Sequence, residues 1–171
     1  MGGGGTAVPD DLYDRDILEW SRRQADRLRR VARGERVDDV DWEHVVEEIE
    51  DVGGSGLASV RSLLRQALVH LLKRVAWPDS DAVVQWGIEA GGFLTDAADR
   101  FAPSMRRHIT VDAIYERALI QLRADRAPFD PSAPLPDVCP FTLDDLLTDP
   151  PDVAALQARL SQSTAANSRA E

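Results

Sequence analysis

The chain has 171 residues and a formal charge of −10, with 43% apolar residues, 6% aromatics and a single cysteine, Cys139. That length can bury a core without metals or disulfides, and one cysteine excludes an intrachain disulfide. The acidic balance disfavours nucleic acid and anionic membranes as partners, and no apolar run reaches the about 20 residues that cross a bilayer.

Residues 1–10 read as a flexible N-terminus. Gly2 and Thr6 meet the spacing of an N-myristoylation motif, but the glycine run reads more simply as loose chain. The first predicted helix spans about residues 11–33. Tyr13, Ile17, Trp20, Gln24, Leu28 and Val31 form one stripe at 3.6-residue spacing, and Gly34 supplies the C-cap. The second begins near Asp41, with Trp42, Val45, Val46, Ile49 and Val52 as its stripe; His44 and Glu47 lie off that stripe and should face water. Gly53-Gly54-Ser55-Gly56 predicts a break or marked kink, because a glycine costs about 1 kcal/mol inside a helix.

Residues 57–76 form a third and very apolar helix carrying Leu64, Leu68 and Leu71, which places it at the centre. The fourth spans about 81–101, with Gly87, Gly91 and Ala98 as a small-residue flank. The fifth starts near Ser104 or Thr110 and ends near Arg126. Four prolines between Ala127 and Cys139 predict an extended loop. Thr142 with Asp145 forms a capping box for a short helix, and Asp149-Pro150 is read as the start of a last helix reaching Leu160. Residues 161–171 read as a disordered tail. With no strand pattern, the expected fold is all-α: a single bundle over 11–160 of about five main helices with short C-terminal helices.

These residues resemble the bacterial "domain of unknown function 29" family. Tyr13, Asp16, Trp20, Gln24 and Leu28 match its opening helix, and Glu47-Glu48-Ile49 its paired-glutamate segment. His70-Leu71-Leu72-Lys73, Pro78 and Trp86 match its central signature. Pro103-Ser104-Met105-Arg106 and Cys139-Pro140-Phe141 match its later steps. The resemblance implies a cytoplasmic helical bundle and no particular activity.

Few residues carry a positive chemical signal. None of the three histidines completes the Glu-x-x-His pattern of a bundle di-metal centre, so no metal or other cofactor is expected. Cys139, between Val138 and Pro140, reads as a small residue under a loop. Trp20, Trp42 and Trp86 read as core, and Trp77 as exposed. The candidate polar cluster is Asp16, Gln24, Glu47, Glu48, His70 and Lys73, with His70 at the edge of an apolar stripe. A turn near Gly54 would bring Glu48 level with Arg61. Arg22, Arg23, Arg27 and Arg30 form a basic patch, best explained by pairing with the acidic segment that follows.

The composite reading is a cytoplasmic, non-enzymatic module that binds another protein or itself. Its apolar faces cover more helices than a minimal bundle needs. The alternative is a ligand-binding or enzymatic domain with a polar pocket around His70 and carboxylates of the first two helices.

Overall fold

Apolar side chains at helical spacing dominate the packing. The computed structural model describes residues 12–124 and 135–167, with side chains to residue 163, and its regular elements there are all helical. They are α1 (Leu12–Arg15), α2 (Ile17–Ala32), α3 (Trp42–Ala76), α4 (Val83–Arg100), a 3₁₀ turn (Pro103–His108), α5 (Val111–Ala124), α6 (Leu143–Leu146) and α7 (Val153–Asn167). The predicted glycine-rich start and most of the proline-rich loop fall outside the described residues. No described helix is long and apolar enough to cross a membrane.

The chain divides into two units, residues 1–53 and 54–171. In the first, Trp20, Gln24 and Val45 are buried, a small core for three helical segments. Gly34 ends α2 at φ 81°, a left-handed conformation that costs other residues about 1–2 kcal/mol. Its N–H donates to the carbonyl of Val31 and that of Glu35 to the carbonyl of Arg30, the paired bonds of a Schellman cap.

The second unit is built around α3. Val60, Leu64, Ala67, Leu68, Leu71 and Leu72 are fully buried, and Ala90, Leu94 and Ala97 of α4, Tyr115, Ala118, Leu119 and Leu122 of α5, and Leu156 and Leu160 of α7 complete the core. The Tyr115 hydroxyl donates to the carbonyl of Pro136 at 2.7 Å, tying the loop before α6 to α5. The Thr142–Asp145 capping box forms as expected. Asp152, and not Asp149, caps α7, accepting from the N–H of Ala155. That helix continues seven residues past Leu160, into the segment read as tail. Gly91 lets it come close: a Cβ there would stand 3.4 Å from a Val153 methyl.

Further expectations are overturned. There is no break at Gly53–Gly56, because α3 runs through all three glycines. Their propensity cost, about 1 kcal/mol each, is a local quantity, and it is outweighed by the burial of the helix's C-terminal half. The predicted stripe of the second helix is also not core. Only Val45 is buried, whereas Trp42, Val46, Ile49 and Val52 are 51–74% exposed. Trp77, expected outside, is partly buried beside Trp86, with ring centroids 6.3 Å apart.

A Cβ at Gly53 or Gly54 would meet nothing within 4 Å, and neither residue has positive φ. Replacing either with alanine should therefore raise stability by about 0.5–1 kcal/mol. Urea denaturation of Gly53→Ala and Gly54→Ala checks this; a loss of stability in both would mean that the chain turns there after all.

Candidate functional site

The polar residues singled out by sequence divide between the two units. In the first, Asp16 caps α2 by accepting from the N–H of Glu19 at 3.0 Å. Gln24 is 2% exposed, and its Oε1 accepts from the backbone N–H of Asp41 at 3.1 Å, while its Nε2 is buried without a partner. Glu48 accepts from the Tyr13 hydroxyl at 2.8 Å, a bond that pushes the phenol up to about 12. Glu47 stays exposed.

Asp41 is the hub of this unit. At the N-cap of α3, its carboxylate accepts from Trp20 Nε1 at 3.1 Å and from His44 Nδ1 at 2.8 Å. Burial pushes its carboxyl up, but these bonds and the His44 backbone N–H more than offset that and lower it overall. Because an ionised carboxylate only accepts, the proton is on His44 Nδ1 and titration occurs at Nε2. His44 does not face water as expected. Its ring stacks on Tyr13 at 3.9 Å, with the Trp20 ring edge-on to both. The result is an aromatic–carboxylate clasp joining α1, α2 and the first turn of α3. The role its contacts display is structural.

The basic patch is largely neutralised. Arg23 pairs with Glu19, Arg27 with Asp39 at 2.8 Å and Arg30 with Glu35 at 2.9 Å; Arg22 is exposed. The partners lie within α2 or in the loop after it, where one flexible turn reaches them.

In the second unit the carboxylate beside His70 is Glu89 of α4, not one from the first two helices. Glu89 Oε2 lies 2.9 Å from Nδ1, but off the line of the ring N–H, so the contact is electrostatic and not a well-aligned hydrogen bond. Burial lowers the His70 pKa, Glu89 opposes that and Lys73 adds to it, leaving the net shift downward. Cys139 is partly buried with its sulfur 3.7 Å from the carbonyl of Phe141, and burial pushes the thiol up to about 11. Among the described residues no three His, Cys, Asp or Glu side chains are grouped to hold a metal.

Arg61 does not meet Glu48, because the turn that would bring them level does not form. Its guanidinium instead donates to the carbonyl of His108. Here lies a feature that the sequence reading missed: Arg61, Ser62 and Arg65 of α3 face Thr110 and Arg117 across a cleft of about 370 Å³. Arg61 and Arg65 are spaced i,i+4 beside the buried stripe. That is the one local signal, and it is also how any helix edge looks.

Helices stacked about a buried central helix, with no strand among the described residues, define an all-α protein. The profile described as "Domain of unknown function DUF29" matches residues 12–150, and the chain belongs to that family. An α-helical protein of unknown function from Rhodospirillum rubrum ATCC 11170, solved by crystallography, is 33% identical; the match covers 86% of this chain and 96% of that one, with a TM-score of 0.67. No curated protein matches.

The two histidines should titrate in opposite directions. The hydrogen bond to Asp41 raises the His44 pKa, with the nearby acids adding to it, so His44 contributes stability below the ordinary value near 6.5 that is lost as pH rises through its folded pKa. His70 is lowered, so its contribution is intact above about 6.5 and is lost as pH falls through its folded pKa. Imidazole resonances followed from pH 5 to 8 check the order, His44 titrating above His70; the reverse order would show that Asp41 and burial are not the controlling contacts.

Proposed function

We propose that the protein is a non-enzymatic, cytoplasmic interaction module whose first unit docks a helix of a protein partner or of a second copy. The exposed stripe on α3 carries this reading. Trp42, Val46, Ile49 and Val52 recur at spacings of four, three and three, so they share one face of the helix, and each is at least half exposed. Isolated exposed apolar residues are ordinary, whereas an aligned row of four supports a docking surface.

The stripe's chemistry narrows the partner. Glu43, Glu47 and Glu50 are exposed and, at about 100° per residue, run along one edge. The expected occupant is a helix with an apolar face and a basic margin. Fully burying four such side chains contributes about 1.5–3 kcal/mol each. Set against an association cost of about 4–15 kcal/mol, that favours a modest affinity in which a single charge is disruptive.

Sedimentation of the wild-type chain across a concentration series tests self-association, and capture with immobilised protein tests a foreign partner. Ile49→Asp should weaken either one at least tenfold with an unchanged helical circular dichroism spectrum, because Ile49 is already 67% exposed. A wild type that stays monomeric and retains nothing that Ile49→Asp loses would sink the proposal.

A further inference from the structure

We infer that the cleft between α3 and α5 is a binding site for a small molecule bearing a phosphoryl group. Three arginines, Arg61, Arg65 and Arg117, line one concavity with Ser62 and Thr110. In a chain of net charge −10, many arginines find carboxylates, as Arg23, Arg27, Arg30, Arg106 and Arg159 do; what sets the cleft apart is that three without one line the same concavity. None of the three cleft arginines is ion-paired with a carboxylate among the described residues; Arg61 is held by the carbonyl of His108, which fixes it without neutralising it. Arg65 adds a second observation: its Nε is buried with no acceptor in reach. A guanidinium kept unpaired and partly dehydrated is costly unless something supplies the missing acceptor.

Charge and shape select that acceptor. A single carboxylate brings one negative charge and accepts one fork, leaving two guanidinium groups uncompensated. A phosphomonoester brings about −1.5 to −2 and three oxygens, enough to engage all three. The two hydroxyls can donate as well, and Thr110 immediately precedes α5, which begins at Val111. Ala58 and Ile114 form an apolar wall, and about 370 Å³ exceeds what an inorganic ion fills. The organic part of the ligand belongs against that wall.

Calorimetric titration of the full chain with glycerol 3-phosphate, ribose 5-phosphate and adenosine 5′-monophosphate, each beside its unphosphorylated parent and beside inorganic phosphate, tests the assignment. At least one phosphomonoester should bind saturably with Kd of about 1 mM or tighter, exceeding both its parent and inorganic phosphate. Arg117→Gln, an exposed substitution that spares the core, and Arg65→Gln should each weaken it at least tenfold. Arg22→Gln with Arg23→Gln, on the exposed side of α2, should leave it unchanged. No saturable binding of any of the three, wild-type affinity in Arg117→Gln, or equal weakening by the α2 pair would each overturn the site, and inorganic phosphate binding as tightly as every ester would overturn the small-molecule assignment.

Discussion

The burial of one helical face holds the second unit together. From Val60 to Leu72, six side chains of α3 are at zero exposure, contacting α4, α5 and α7 through a continuous cluster. Leucines buried like this contribute about 1.5–3 kcal/mol apiece, so this face outweighs by several-fold any single hydrogen bond or ion pair on the surface. It also dictates which polar groups are stranded. Arg61 and Arg65 occupy the edge of the stripe, and the packing of α5 against it puts Arg117 opposite them. The cleft is thus a consequence of where the apolar stripe ends.

A different principle operates in the first unit. Its buried apolar residues are few, and order comes from directional contacts converging on Asp41. A carboxylate at the start of α3 accepts from the helix's own backbone, from an indole and from an imidazole, while Gln24 accepts from the Asp41 backbone. Such a hub is specific and pH-sensitive, whereas the leucine core is neither. The unpartnered Nε2 of Gln24 marks its cost: a buried donor without an acceptor forfeits about 1–3 kcal/mol.

The helical class, most helix spans, the Gly34 cap, the capping box and the family were all legible in the sequence, because each depends on residues within a few positions of one another. What failed depended on distant residues. Gly53–Gly56 has the local signature of a break, yet α3 continues through it. Periodicity identified the Trp42–Val52 stripe as one face but could not show whether anything covers it. His44 was placed in water because the stacking ring, Tyr13, comes from another helix. Arg65 and Arg117, separated by α4 and the 3₁₀ turn, meet only through tertiary packing. The carboxylate beside His70 was missed for the same reason: Glu89 lies on the next helix, 19 positions on.

The distribution of unpaired chemistry argues against reading the molecule as inert scaffold. A structural domain under no functional demand tends to hide apolar rows and neutralise arginines, and nine arginines here pair with carboxylates among the described residues. Two departures combine several such groups in one place. One is an apolar row exposed along α3, edged by exposed glutamates; the other is a cleft whose three arginines have no acidic partner. An exposed apolar row adds nothing to monomer stability, and clustered guanidinium groups repel one another. Stability alone accounts for neither, and the two proposed binding roles would account for both: an apolar partner surface in the first case, a compact anion in the second.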